Sequence, residues 1–292
     1  MAFKYYAFSI FPTCIVLITA LHYDYDSPVV SQLPDYAVRN VGKFQPRIVV
    51  GVIPRYHDMP FVVYIQSFGR FGQSDSCTGS IIASRYVLTA FHCLENAGEN
   101  FHMTLEEIRK HMLVNVGSMY KKDGRPYKVL AYDPVKTRKG DVDMVILKMD
   151  GELKFPNGTV ITPVVLGRWT PKKNVVLSIA GHGWHTANGR IQRPDRYITA
   201  SAKVVSNETW EGNVGFRAIG VNEGPAKGDS GGPALKPVKG NYVQIGMIAE
   251  AGKLSINAND RYIVGVYVSI GPYCHLIQEK TNGSARCIRA NN

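Results

Sequence analysis

The stretch Gly228-Asp229-Ser230-Gly231-Gly232-Pro233 constrains this chain more than any other. Three glycines and a proline specify a loop whose backbone torsions are closed to most side chains, and they enclose one Ser with an Asp directly before it. Such a loop presents a hydroxyl and its neighbouring N–H groups together. A Ser hydroxyl is a poor nucleophile at neutral pH, so the reading requires a His as base and a carboxylate to orient that His. Both lie upstream. His92 sits in Val87-Leu88-Thr89-Ala90-Phe91-His92-Cys93, and Asp143 opens Asp143-Met144-Val145-Ile146-Leu147-Lys148. Each borders a strand-like apolar run, and the chain order is His, Asp, Ser.

With Arg47-Ile48-Val49-Val50-Gly51, these make four blocks whose order and spacing resemble the chymotrypsin-like (trypsin family) secreted serine proteases. The resemblance covers about residues 47 to 280. It implies an all-β fold of two antiparallel six-stranded β-barrels with a C-terminal helix, the barrels at about 48–165 and 166–270 and the helix at about 272–280. It also implies roles. Ser230 is the nucleophile, His92 the proton carrier, Asp143 the group that holds the His tautomer, and the N–H groups of Gly228 and Ser230 the oxyanion hole. Cleavage after Arg47 frees the amino group of Ile48 to pair with Asp229, a sensible arrangement because a buried carboxylate needs a cationic partner. Val50 departs from the family, which usually has Gly there. No metal or organic cofactor enters this expectation. The expected partners are a protein or peptide substrate, an activating protease and protein inhibitors, with the chain a monomer.

The N-terminus places Lys4 before an apolar run from Phe8 to Leu21, with the small residues Thr19 and Ala20 near its end. That length suits a secretory signal at 1–20 and falls short of the about 20 apolar residues a membrane span needs. Residues 21–47 are polar, punctuated by Pro28 and Pro34, and read as a propeptide; the protease domain is then 48–292, secreted and off the membrane. Losing Cys14 with the signal leaves four cysteines, an even number that suits two disulfides in an oxidising compartment. The resemblance pairs Cys77 with Cys93 beside His92. Cys274 and Cys287 are left to each other by elimination.

Short apolar or alternating runs at 61–65, 81–82, 86–90, 113–116, 129–132 and 144–147 read as strands of one barrel. Those at 175–180, 197–205, 242–249 and 263–270 belong to a second, with the join near 163–173. One segment, 104–111, reads instead as a short surface helix, with Thr104 as N-cap and Glu107 completing a capping box.

At the position six residues before Ser230, where trypsin-like members carry a pocket-floor Asp, this chain has Gly224. Gly265 matches a wall position whose small size keeps such a pocket open. Glu223 and Glu250 would attract a basic substrate residue if they stood close to the pocket, and Lys227 at the rim would oppose that attraction. Cysteines that often flank the nucleophile loop are missing, as is the usual aromatic on the wall strand, which reads Ala249-Glu250-Ala251. The P1 preference is therefore expected not to be strongly tryptic. His182 and His185 supply only two imidazoles in one loop, too few for a zinc site. The formal charge of +11 favours acidic or polyanionic surfaces, without the aromatic–basic interleaving of a nucleic-acid binder. Asn157, Asn207 and Asn282 open glycosylation sequons. A rival class is a homologue on the same scaffold that cleaves poorly and acts as a binding cofactor or decoy.

Overall fold

Buried and exposed side chains alternate along β1 (Val62–Phe68) and β4 (Met112–Val116), the period-2 pattern of strands with one face in a core. These belong to a computed structural model that describes residues 59–68, 74–95, 103–187, 190–210, 212–255 and 261–289. The expectations for the signal segment, the propeptide, Arg47 and Ile48 lie outside the described residues. β1 pairs on one side with β2 (Ser74–Ala83) and on the other with β4. β3 (Tyr86–Thr89), β6 (Gly140–Met149) and β5 (Arg125–Thr137) complete a closed six-stranded barrel in the order β1-β2-β3-β6-β5-β4. Ile65, Ile81, Leu88, Val114 and Ile146 are among the side chains that fill it.

The second barrel is built from β8 (Val176–Gly181), β11 (Ile198–Trp210), β12 (Asn213–Val221), β15 (Arg261–Ser269), β14 (Asn241–Ser255) and β13 (Pro233–Val238), and the β13–β14 pairing closes it. Its core holds Leu177, Val204, Ile245 and the stacked rings of Phe216 and Tyr267, whose centroids are 5.0 Å apart. β7 (Val165–Gly167) and β16 (Cys287–Ile288) add to this barrel in parallel, and β9 (His185–Ala187) pairs with β10 (Arg190–Gln192) as a separate ribbon. The fold is thus the all-β, two-barrel architecture expected, with a short C-terminal helix.

Two helices flank the strands. α1 (Leu105–His111) begins on the predicted capping box: Thr104 Oγ1 accepts from the Glu107 N–H, and the Glu107 carboxylate accepts from the Thr104 N–H at 2.9 Å. The apolar Ile108 anchors it to the first barrel. α2 (Cys274–Lys280) follows a 3₁₀ turn at Gly271–Tyr273. A disulfide between Cys274 and Cys287 straps the C-terminal strand β16 back to it, and a second joins Cys77 to Cys93.

The barrels meet along buried polar contacts as well as apolar ones. The Ser80 hydroxyl donates to Gln244 Oε1 at 2.7 Å, and both residues are fully buried. The Asp143 N–H donates to Asn213 Oδ1 at 2.9 Å, tying β6 to the start of β12. Buried groups of this kind are tolerated only when paired, so these bonds specify how one barrel sits on the other.

Candidate active site

β3 ends at Thr89, and the chain turns through a 3₁₀ helix at Phe91–Leu94 that carries His92 and Cys93. β6 passes beside it and brings Asp143 to the imidazole. His92 Nδ1 lies 2.9 Å from Asp143 Oδ2, and the His92 N–H donates to Asp143 Oδ1 at 3.0 Å. Burial pulls the His92 pKa down, but the hydrogen bond and charge of Asp143, helped by Glu95 and Asp75, outweigh it and leave the imidazole above its ordinary value. For Asp143, burial pushes upward, and the bond to the His92 ring with the amides of His92 and Phe91 holds it below the usual carboxylate range. The pair therefore favours an ionised Asp143 holding the Nδ1 proton of His92, which leaves Nε2 as the free base.

Ser230 comes from the other barrel. Its loop precedes β13 and is half-buried at the Ser. Gly231 adopts φ +81°, and a Cβ there would stand 2.0 Å from Thr89 Oγ1 and 2.3 Å from the Thr78 carbonyl, so only glycine fits. The Ser230 carbonyl accepts from the Thr78 N–H at 2.9 Å and lies 3.8 Å from Cys93 Sγ. The structure thus brings His92, Asp143 and the Ser230 loop to one seam. It closes the His92–Asp143 contact and forms no hydrogen bond between the Ser230 hydroxyl and the His92 ring.

Beside Ser230, the Lys227 carbonyl accepts from the Trp184 N–H at 2.8 Å. In a trans peptide the following N–H points the opposite way, so the Gly228 amide faces away from Trp184. Gly228 itself has φ +96°. Asp229 is turned inward: Oδ1 accepts from the Gly183 N–H at 2.7 Å and Oδ2 from the Ala226 N–H at 2.8 Å. Burial raises this carboxyl to about 6, with those amides and the charge of Lys121 pulling the other way. It borders a small cavity lined also by Ile179, Trp184, Ile198 and Gly224.

Gly224 and Gly265 lie on adjoining surfaces. A Cβ at Gly224 would stand 2.6 Å from Ile263 Cγ2, and one at Gly265 would stand 2.5 Å from the Tyr267 hydroxyl and 2.7 Å from Pro225. Lys227 and Glu250 are exposed. Glu223 is turned aside: its carboxylate accepts from the Ser201 N–H on β11, and burial raises its pKa. Asn157, Asn207 and Asn282 are all exposed. Cys77, Cys93 and His92 converge, but the two sulfurs are bonded to each other and are not thiolate ligands.

Two site-forming residues carry no signal in the sequence. Thr78 is fully buried; its hydroxyl donates to the Gly228 carbonyl at 2.9 Å and accepts from the His182 N–H at 2.9 Å. Asn213 supports the Asp143 backbone from the other barrel.

The family called Trypsin matches residues 48–277. The chain is similar to hypodermin-A of Hypoderma lineatum, 26% identical over 249 residues that cover 79% of this chain and 86% of that protein. It is similar also to granzyme M of Homo sapiens, 28% identical over 262 residues covering 83% and 92%. Its fold matches that of the scabies mite inactivated protease paralogue S-I1 with a TM-score of 0.59 over 80% of this chain and 98% of the other, at 19% identity.

Proposed function

From a chain that belongs to the trypsin family, we propose a secreted serine endopeptidase made as a zymogen. The observation that carries the reading is the doubly hydrogen-bonded His92–Asp143 pair facing the glycine-framed Ser230 loop. Ser230 Oγ attacks the scissile carbonyl while His92 Nε2 takes its proton, and Asp143 stabilises the imidazolium. The oxyanion is received by the N–H groups of Gly228 and Ser230, each donor contributing about 3 kcal/mol. His92 then protonates the leaving amine, and water hydrolyses the acyl-enzyme by the same steps in reverse. Cleavage after Arg47 supplies the Ile48 amino group as counter-charge to Asp229, whose burial and raised pKa mark a carboxylate in want of one.

Gly224 at the floor and the diversion of Glu223 toward Ser201 support a P1 preference that is not strongly tryptic. Substrate is a protein or peptide, an upstream protease activates the chain, and protein inhibitors dock at the same face of a monomer. Among the described residues no helix is long and apolar enough to cross a membrane. A second reading, a weakly catalytic homologue that binds rather than cleaves, is favoured by one observation: the Ser230 hydroxyl is not bonded to His92.

Labelling with a fluorophosphonate serine probe separates the two. Protein cleaved after Arg47 is expected to react, uncleaved protein to react far less, and Ser230→Ala not at all. Absence of labelling in the cleaved protein would overturn the enzyme reading, and equal labelling of the uncleaved chain the zymogen reading.

A further inference from the structure

Trp184 carries a cation over its ring from each of two segments. Arg193 Cζ is 4.6 Å from the ring centroid and Lys227 Nζ 6.0 Å. Lys227 is three residues before Ser230, and its carbonyl is held by the Trp184 N–H. Neither cation makes a salt bridge among the described residues, and both side chains are exposed. The rim continues toward the reacting centre. A Cβ at Gly228 would lie 3.3 Å from Ser76 Oγ; Ser76 hydrogen-bonds the Tyr64 hydroxyl, and Arg193 acts electrostatically on that same hydroxyl. Lys121 Nζ lies 5.2 Å from the Tyr64 ring centroid. Among the described residues, the acidic groups acting on this rim are Asp75 and Asp195, both exposed, and the buried Asp229 beneath Lys121.

The position of the rim follows from its neighbours. Asp75 acts on both Tyr64 and His92, so the rim lies on the side of Ser230 where His92 stands. His92 is the group that hands a proton to the departing amine, so this side holds the residues C-terminal to the scissile bond. We propose that Trp184, Arg193 and Lys227 select substrates with an acidic side chain within the first three residues of the leaving segment. The inference rests on the endopeptidase reading and adds to it a substrate class. Trp184 fixes the two cations in place, which lowers the ordering cost when a carboxylate arrives between them.

The test uses peptides identical up to the scissile bond and varied after it to Asp, Asn or Lys. Binding to the cleaved Ser230→Ala protein is measured by fluorescence anisotropy, and kcat/KM on the cleaved active protein. Asp peptides are expected to bind about five- to tenfold more tightly than Lys peptides, the scale of one or two solvent-facing charge pairs, with the preference shrinking as salt is raised. Arg193→Glu with Lys227→Glu is expected to reverse the order, and Arg193→Gln with Lys227→Gln to flatten it, at unchanged melting temperature. Equal affinity for Asp and Lys peptides, or a preference that survives the charge reversal, overturns the proposal. Binding to the Ser230→Ala protein needs no catalysis, so it judges the rim even where the serine probe fails, and failure of the probe counts against the enzyme reading alone.

Discussion

Burial pushes the Asp229 carboxyl up to about 6 in the folded chain, against an ordinary value of 3.8. Between those values the folded chain keeps a proton that the unfolded chain has released. The stability this contributes is present at low pH and is lost as pH rises through about 6; the full difference amounts to about 3 kcal/mol. Other groups titrate over the same range. His182, buried with both ring nitrogens unpaired, is held down to about 3, so its contribution runs the opposite way, growing as pH rises from about 3 to its ordinary value and level above it. The effect of Asp229 is isolated by subtraction. Urea unfolding of uncleaved Ser230→Ala protein, with and without Asp229→Asn, is measured from about pH 4.5 to pH 7.5. The substituted amide does not titrate, so the stability of the Asp229→Asn variant relative to the parent is expected to improve by about 2 kcal/mol across that range, the remaining third of the full difference falling below about pH 4.5. Its amide presents an N–H to one of the two donors at Gly183 and Ala226, which offsets the whole curve but not its slope. After cleavage at Arg47 the slope is expected to vanish or change sign, because a cation now favours the ionised carboxylate. A difference that is flat with pH in the uncleaved chain would refute the reasoning, since Asp229 would then already be balanced.

Three further outcomes test the same architecture. Asp143→Asn removes the charge and hydrogen bond that raise the His92 pKa; kcat is expected to fall about 10⁴-fold, with the acid limb of the remaining activity moving to lower pH, and an unmoved limb would place the perturbing charge elsewhere. Thr78→Val deletes the hydroxyl between the Gly228 carbonyl and the His182 N–H. Serine-probe labelling of the cleaved protein is expected to slow about 10- to 100-fold while Thr78→Ser labels normally. Replacing Cys274 and Cys287 together by Ser is expected to cost about 3 kcal/mol in urea unfolding, with labelling retained, because that disulfide closes a short loop between the C-terminal helix and strand and none of its bonds is made to the Ser230 loop.

Much of the fold is legible because local chemistry and tertiary structure agree. The capping box at Thr104 and Glu107 marks α1 in the sequence, and apolar runs mark β1, β3, β6, β8 and β15. The strands that escape notice break strand rules for reasons visible only in three dimensions. β13 begins at Pro233 and contains Pro237, residues that argue against a strand in isolation. β12 carries Gly215 and Gly220, and a Cβ at either would stand about 2 Å from the Tyr267 or Glu223 carbonyl. These glycines weaken the strand signal and are what allow its neighbours to close on it. At the site, His92, Asp143 and Ser230 stand out by residue type and setting. Glu223 could be placed only by its bond to Ser201, which depends on the fold of β11.

The proposed catalytic groups are divided between barrels, so their alignment is a property of the seam. His92 and Asp143 belong to the first barrel and Ser230 to the second, and no covalent staple among the described residues joins the two. Thr78 is the residue where the seam is pinned. Its N–H holds the Ser230 carbonyl, its hydroxyl the Gly228 carbonyl and the His182 N–H, and its own carbonyl accepts from Thr89 Oγ1 at 2.8 Å, three residues before His92. One buried residue, through its backbone and its hydroxyl, thereby connects the nucleophile loop, the segment that receives Asp229 and the strand that delivers His92. Because each bond has a fixed direction and Thr78 is fully buried, a displacement of Asp229 strains the Gly228 and Ser230 carbonyls through the same residue. Pairing Asp229 with a cation would then do more than neutralise a charge: it would set the two amides of the oxyanion hole and the nucleophile against His92 in one step.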